Sequence, residues 1–463
     1  MGVLVHLMVF TFVMEVTLGF ATSHALQLPW TVACFWTKDF NSKDNATDLC
    51  NHIIYQDFNT SIIINLNTLT LDANHFDQDE GYLNVKSFKE RNNEVRVELQ
   101  IGHWQTPKRM YDIARTQESR KKFINSSIEV LKLYRFDGLH LMWGSPAPDA
   151  REYFINSSTA KREKENLTHL LRELNKTLTS ANLSFSFGVR GVLEIDCNME
   201  VKEVYANADL VFLYAYNYHG SWEEYTGAFA PIYPESVETE RVNSYYMTVD
   251  ATWDTLQVWG GKPEKTVLVV NAKGNPFKLT NTSQHGINAP HKSDGTLSPH
   301  TFKEICKKQT EANWTIVWDN TRKQSYTYRG NSWITYEDAC SVIEKKKYAR
   351  EKKFRGLALK DLSRDDANGD CVRKTLSLLH TRKNSDDNSN HDDHNDHDDN
   401  NGNDHDGDHN DDHVYLDTTF PLLRIIAEER EQSNPCNTSC KNYNFRNKLQ
   451  LLILLVFVQF SSI

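Results

Sequence analysis

Short apolar runs alternate with charged amphipathic stretches along most of the chain. The eight runs that predict strands are TVACFWT, HIIYQDFN, VRVELQIGHW, FDGLHLMW, LSFSFGVRG, LVFLYAYNYHG, TVLVVNAKG and FRGLALKD. Between them lie helical patterns, the clearest of which places Leu167, Leu170, Leu171, Leu174 and Leu178 on one apolar stripe. Strand and helix alternating in this way predict an α/β fold, either a parallel barrel or a doubly wound sheet.

Two segments depart from this rhythm. Residues 273–336 combine Gly, Pro, Asn and aromatic residues with short strand-like pieces, which predicts a small α+β insertion after the seventh strand. Residues 384–413 contain no apolar side chain, which predicts a disordered spacer. Helical patterns flank this tract, RKTLSLLHTRK before it and FPLLRIIAEERE after it. Either could be the last helix of the fold, and the tract is a loop within the domain if the second one is.

The acidity of the chain comes from that tract. The net charge is −10, and residues 384–413 hold twelve Asp, so the remainder is close to neutral. No broad basic face predicts a nucleic-acid partner. The short basic cluster EKKKYAREKKF is predicted to form a solvated helix face, with a heparin-like glycan as the less favoured alternative. The six His of the tract have no fixed spacing, so neither a metal site nor a cofactor is predicted.

Both ends of the sequence look like processing signals. Residues 1–25 have a short apolar core and a small-residue end, which is typical of a secretory signal peptide. Residues 438–463 end in an apolar run shorter than the ~20 residues that span a bilayer, which favours a GPI-attachment signal over a membrane-spanning tail. Asn437 is the candidate attachment residue, with Ser433 and Asn434 as alternatives. Residues 414–437 would be a short helix and a juxtamembrane segment.

Cysteines and glycosylation sequons indicate an oxidising compartment. The chain has eight Cys and ten N-x-S/T sequons. Besides Asn437, the predicted acceptors are Asn45, Asn59, Asn125, Asn156, Asn166, Asn175, Asn182, Asn281 and Asn313. The pairing of Cys197, Cys340, Cys436 and Cys440 is left open. We therefore expect a glycoprotein that is secreted or held by a lipid anchor on the extracellular face of the plasma membrane.

Four ordered motifs carry a family resemblance. The stretch FDGLHLMWGSP resembles the strand signature D-G-x-D-x-D-W-E of glycoside hydrolase family 18, which is followed by Tyr and Pro. CFWTKDF, IGHW and YAYNYHGSWEEYTG resemble the first, third and sixth strands of that family, and residues 273–336 resemble the small domain of its animal chitinase subgroup. The resemblance covers residues 26–383 and implies a TIM (β/α)8 barrel with its site at the carboxyl ends of the strands. It also implies the disulfides Cys34–Cys50 and Cys306–Cys371.

The resemblance places the catalytic motif on residues that lack its chemistry. In the family a Glu protonates the glycosidic oxygen and an Asp two residues earlier orients the substrate's acetamido group. Here Gly144 stands for the Glu, Met142 for that Asp and His140 for the Asp before it. An acid needs a side chain with a transferable proton, so no catalytic residue is predicted. His140 is expected to be a buried, hydrogen-bonded packing residue.

The resemblance also bears on sugar binding. Tyr216, Asn217, Trp222 and Trp104 remain as candidate carbohydrate contacts, although Asn217 replaces an Asp of the family and Tyr214 replaces a Met. Lys273 stands where the family has a Tyr in the site, and Lys360 where it has the Trp that forms the floor of the sugar site. Asp39 stands where it has an aromatic residue of the cleft. Stacking on a sugar needs a flat apolar face, which a Lys lacks.

These observations predict a catalytically inactive, monomeric chitinase-like glycoprotein that acts in binding or signalling. A cell-surface protein is the expected partner. Two alternatives remain, a lectin for chitin or another amino-sugar oligomer, and a hydrolase with a displaced acid. The last would need a carboxylate such as Asp149, Glu152 or Glu223 in the cleft.

Overall fold

The computed structural model describes residues 29–37, 48–56, 64–65, 68–71, 81–102, 107–143, 158–191, 199–234, 247–292, 295–369 and 419–428. The chain divides into residues 1–30 and residues 31–463, and the second unit holds every element described below. No helix within these ranges is long and apolar enough to cross a membrane.

In chain order, the described strands are β1 (Thr31–Trp36), β2 (His52–Tyr55), β3 (Ile64–Asn65), β4 (Thr70–Leu71), β5 (Arg96–Ile101), β6 (Gly138–Met142), β7 (Ser184–Arg190), β8 (Leu210–Tyr214), β9 (Thr266–Asn271), β10 (Lys273–Lys278), β11 (His300–Thr301), β12 (Thr315–Asp319), β13 (Gln324–Arg329), β14 (Ser332–Tyr336) and β15 (Gly356–Lys360). The described α-helices are α1 (Gly81–Arg91), α2 (Pro107–Ala114), α3 (Gln117–Leu133), α4 (Ser158–Ser180), α5 (Val201–Asn207), α6 (Val249–Val258), α7 (Phe302–Gln309), α8 (Ala339–Glu351) and α9 (Pro421–Ala427).

Eight parallel strands close into a barrel, in the order β1-β15-β9-β8-β7-β6-β5-β2. Strands β1, β2, β6, β8 and β9 are buried at every position, as expected when helices cover the outside and side chains fill the inside. Each of the eight predicted apolar runs contains one barrel strand, so the predicted TIM barrel is confirmed.

Amphipathic helices cover this barrel. In α4 the five leucines of the predicted stripe are all buried, with at most 1% of any one exposed. Helix α3 begins at a capping box, in which Thr116 Oγ1 accepts a hydrogen bond from Ser119 N and Ser119 Oγ accepts one from Thr116 N. Helix α4 contains the whole of the predicted leucine stripe.

A second, antiparallel sheet follows the seventh barrel strand. Its five strands have the order β11-β10-β14-β13-β12. The buried residues Phe277, Leu279, Ala289 and Trp333 form its apolar core. This sheet and α7 occupy the stretch between β9 and α8, where the α+β insertion is predicted.

Helix α9 packs against the barrel although it lies far along the chain. The Asp365 carboxylate accepts hydrogen bonds from the backbone N–H groups of Leu422 and Leu423 at 3.2 and 3.1 Å. Phe420 N donates to Asp366 O at 3.1 Å, so the chain that leaves after Gly369 returns beside its point of departure. FPLLRIIAEERE thus supplies a helix of the barrel layer. RKTLSLLHTRK and the Asp-rich tract lie outside the described residues.

The basic cluster on α8 is less solvated than predicted. Lys345 Nζ forms an ion pair with Glu337 at 3.0 Å, and both side chains are almost fully buried. Lys346 Nζ donates to Ile425 O at 2.7 Å. The prediction of a solvated face was wrong at these two positions because Glu337, just before α8, pairs with Lys345, and α9, distant in sequence, covers Lys346.

The structure contains one of the predicted disulfides, that between Cys34 and Cys50. Cys306 and Cys340 each take part in a disulfide bond as well. Cys371 lies outside the described residues, and its pairing with Cys306 stays a prediction.

Candidate functional site

His140 lies at the centre of the barrel interior, on β6, and is completely buried. Its Nδ1 is 2.8 Å from Ser186 Oγ and its Nε2 is 3.0 Å from Tyr214 Oη. The ring also meets the edges of Phe35 and Phe212. Both nitrogens and the ring faces are therefore engaged by the barrel itself, which is the arrangement of a packed, hydrogen-bonded histidine.

A chain of polar groups continues from His140 across the interior. Ser186 Oγ donates to one oxygen of the Glu98 carboxylate, and His52 Nε2 lies 3.3 Å from that same oxygen. Because the Ser186 proton goes to Glu98, His140 Nδ1–H donates to Ser186 and His140 Nε2 accepts from Tyr214. We call His52, Glu98, Ser186, His140 and Tyr214 the polar column.

Electrostatics fixes the protonation of the column. Burial alone would raise the pKa of Glu98, but attraction to His52 and hydrogen bonds from Ser184 and Ser186 outweigh it and lower this pKa to about 2. Burial lowers the pKa of His140 to about 3, against the attraction of Glu98. At neutral pH, His140 is therefore a neutral imidazole that holds its one proton within the column.

Met142 occupies the next inward position of β6 and is 5% exposed. Gly188 of β7 faces it. A Cβ added there would lie 2.6 Å from Met142 Sδ and 2.9 Å from Tyr214 Cε2. The absence of a side chain at Gly188 thus makes room for the large groups on β6 and β8. Gly144 lies outside the described residues.

The candidate sugar contacts are only partly assembled. Tyr216 stacks on Phe229 with ring centroids 6.0 Å apart. Asn217 has a left-handed backbone with φ of 62°, and its Oδ1 accepts a hydrogen bond from Asn275 Nδ2 at 2.8 Å. Asn217 thus holds strand β10 of the insertion. Trp222 is 53% exposed and covers Gly220, with no ring contact to Tyr216. Trp104 lies outside the described residues.

Lysines occupy the mouth of the barrel. Lys360 ends β15, and its Nζ lies 4.9 Å from the centroid of the Phe35 ring and 5.1 Å from that of Tyr214. With its amide oriented to satisfy both neighbours, Gln56 accepts a hydrogen bond from Lys360 Nζ and donates one to Asp361. Lys273 follows β9, and its Nζ lies 5.8 Å from the Phe229 ring centroid.

Two arginines, Arg190 and Arg364, and the carboxylate of Asp361 also lie at the mouth of the barrel. Arg190 is the last residue of β7, and Arg364 Nε lies 2.9 Å from Asp361 Oδ2. Burial, together with repulsion from neighbouring cations, lowers the pKa of Lys360 and of Lys273 to about 8. The residues Arg190, Lys273, Lys360, Asp361 and Arg364 are called the mouth cluster below.

The sequence alone did not single out Arg190, Arg364, Glu98 or His52. The one available signal was position, since Arg190 ends a predicted strand and the other three lie in or beside predicted strands. Nothing local shows which groups they meet, because they lie on β2, β5 and β7 and just after β15, which long stretches of the chain separate.

The candidates for a displaced acid give little support to that alternative. Glu223 Oε2 lies 2.9 Å from His219 Nδ1, so this carboxylate is already paired. Asp149 and Glu152 lie outside the described residues.

The predicted glycan acceptors differ in exposure. Asn125, Asn182, Asn281 and Asn313 are exposed, and Asn175 is partly buried. Asn166 is only 9% exposed within α4. A glycan needs a surface position, so the structure argues against Asn166. Asn45, Asn59, Asn156 and Asn437 lie outside the described residues.

Comparison with known proteins agrees with this architecture. Residues 31–365 match the family described as "Glycosyl hydrolases family 18". The chain is 25% identical to "Probable chitinase 10" of Drosophila melanogaster over 359 residues, which are 74% of this chain but only 15% of the fly protein. It is 25% identical to "Chitotriosidase-1" of Mus musculus over 360 residues, covering 74% of this chain and 73% of the mouse protein.

A solved structure extends the likeness to an inactive relative. "Human YKL-39 is a pseudo-chitinase with retained chitooligosaccharide binding properties" is the description of a structure that superposes with a TM-score of 0.63. It is 22% identical and covers 75% of this chain and 96% of that one. At this identity the likeness shows the fold alone.

Proposed function

The chain belongs to glycosyl hydrolase family 18, and on that premise we propose that it is a catalytically inactive chitinase-like protein that acts by binding. The observation that carries the proposal is the identity of the residues on β6 and just after it. Where the family's acid motif runs, this chain has His140 and Met142, both buried among barrel side chains, followed by Gly144. None of the three offers a carboxyl proton to a glycosidic oxygen.

Position and packing both count against His140 as a substitute acid. Its two nitrogens are occupied by Ser186 and Tyr214, and none of its surface reaches solvent. A general acid must come within hydrogen-bond reach of the oxygen that it protonates. A neutral imidazole inside the polar column does not.

We further propose that the protein is a glycoprotein of the secretory pathway, held by a GPI anchor attached near Asn437. The apolar start, the short apolar end and the sequons support this. Release of the protein from expressing cells by a phosphatidylinositol-specific phospholipase C tests the anchor. Retention on the cells after that treatment would refute it.

Turnover and binding tests examine the central proposal. Secreted protein, shortened before the C-terminal apolar run, is assayed with a chromogenic chitobioside and titrated with chitotetraose by calorimetry. We expect no turnover above that of a mock purification. Turnover that copurifies with the protein through two columns would overturn the proposal.

A lectin is the second candidate. Tyr216 and its stack on Phe229 survive at the mouth, and the inactive relative YKL-39 is described as retaining chitooligosaccharide binding. Against this, Lys360 stands at the family's floor position, where a flat apolar ring would be needed. Saturable binding of chitotetraose that is lost in Tyr216→Ala and kept in Tyr225→Ala would favour the lectin.

A further inference from the structure

The mouth cluster gathers positive charge in a chain that is otherwise close to neutral outside its Asp-rich tract. Lys273 and Lys360 are repelled by Arg190 and Arg364 and attracted by the Asp361 carboxylate, so these five groups lie close together. Lys360 pairs in register with Asn271 of β9, and Arg190 pairs with Tyr214 of β8. Adjacent strands therefore bring these charges to the same end of the barrel.

The two lysines of the cluster have no described carboxylate in contact with them. Asp361 is engaged by Arg364 and by Gln56, and no described carboxylate lies within 4.0 Å of the Nζ atoms of Lys360 or Lys273. Lys360 Nζ has the faces of two aromatic rings and one amide oxygen as neighbours. With pKa values of about 8, both ammonium groups are mostly charged at neutral pH despite their burial.

Holding two buried ammonium groups with no carboxylate in contact is unfavourable, and a bound anion would relieve it. A neutral sugar offers these groups hydroxyls but no charge. A carboxylate or sulfate ester accepts charge-assisted hydrogen bonds, which are roughly twice as strong as neutral ones. The mouth is therefore better matched to a negatively charged ligand than to an uncharged one.

We propose that the mouth cluster binds an acidic oligosaccharide, with a carboxylate or sulfate group of the sugar placed between Lys360 and Lys273. The ring of Tyr216, which stacks on the buried Phe229 beside Lys273, would receive the apolar face of the same sugar. This inference rests on the proposed function, in that the mouth binds a saccharide without hydrolysing it.

The test compares ligands of one length that differ in charge. The secreted protein is titrated by calorimetry, in 50 mM salt, with chitotetraose, a hyaluronan tetrasaccharide and a heparin tetrasaccharide. We expect at least one acidic tetrasaccharide to bind tenfold or more tightly than chitotetraose. The tighter of the two identifies the anion as a carboxylate or as a sulfate.

Variants locate the binding on the mouth. Lys360→Met and Lys273→Met remove the charge and keep most of the unbranched side chain, and each should lower the affinity for the preferred acidic ligand tenfold or more. Lys278→Met removes an exposed lysine of β10 and should leave it unchanged. The urea midpoints of the variants show whether each one folds. Because the two lysines lie on different strands, the test still stands if one of the two variants misfolds.

Two results would overturn the inference. One is that neither acidic tetrasaccharide binds tighter than chitotetraose, which includes no binding of any of the three ligands. The other is a preference for acidic ligands that survives both substitutions at the mouth. Turnover of the chitobioside is a separate readout, which would overturn the proposed inactivity but leave the comparison of charged and neutral ligands decisive for this inference.

Discussion

Replacing His140 with Gln should change the stability of the barrel in a way that depends on pH. The histidine is neutral in the folded protein because burial lowers its pKa to about 3, whereas in the unfolded chain it titrates near about 6.5. Between these values the unfolded state binds the proton and the folded state does not. Stability contributed by this residue is therefore lost as the pH falls from about 6.5 toward 3.

The size of the effect follows from those two values. Linkage gives a loss of about 2 kcal/mol between pH 7 and pH 5. At pH 7, His140→Gln disturbs the hydrogen bonds to Ser186 and Tyr214 and should destabilise the fold by about 1–3 kcal/mol. Since a glutamine does not titrate, that deficit should shrink by about 2 kcal/mol at pH 5.

Urea unfolding followed by tryptophan fluorescence, at pH 5 and pH 7 under non-reducing conditions, measures both quantities. Glu98 stays ionised throughout this window because its pKa is about 2. His169→Gln, on the exposed side of α4, controls for removal of a histidine as such. If the free energies of unfolding of the parent and His140→Gln differ by the same amount at pH 5 and at pH 7, the reasoning is refuted.

Three further changes test other parts of the structure. Lys345→Met should destabilise by about 3–5 kcal/mol because Glu337 would be left buried and unpaired, and the double variant with Glu337→Leu should recover most of the loss in urea unfolding. Gly188→Ala should destabilise by about 1–3 kcal/mol through overpacking against Met142, and an unchanged urea midpoint would contradict the packing described. Binding of the acidic tetrasaccharide should weaken tenfold or more from pH 7 to pH 9, because Lys360 and Lys273, each with a pKa of about 8, lose their charge. Calorimetry at the two pH values checks this, and equal affinities would exclude a contribution from that charge.

The strands were predictable because parallel strands covered by helices give near-continuous apolar runs. The insertion was predictable because its composition breaks that pattern. The burial of His140 also followed from its place in such a run, although its partners did not, since Ser186 and Tyr214 belong to other strands.

The remaining features depend on tertiary contacts that the local sequence pattern does not show. Lys345 reads as a solvated helix residue until Glu337 and the covering elements are placed around it. From the sequence, Asn217 is a candidate sugar contact, but in the structure its Oδ1 accepts a hydrogen bond from Asn275 of the insertion. The mouth cluster could not be assembled from the sequence because Arg190 and Lys360 lie far apart in the chain, on β7 and β15, and only the closed barrel brings the ends of these strands to one place.

The polar column has a consequence for how the barrel chooses its strand register. His52, Glu98, His140, Ser186 and Tyr214 come from five strands that are adjacent in the barrel, β2, β5, β6, β7 and β8. A slip of any one strand by a single residue turns its side chains to the other face. Its polar partner would then be left in the interior without a hydrogen bond, which destabilises the fold by about 1–3 kcal/mol for each group. An interior of interchangeable aliphatic residues would distinguish neighbouring registers much less sharply. The histidine at a position where the family holds a carboxylate therefore serves as an alignment mark for the closing sheet.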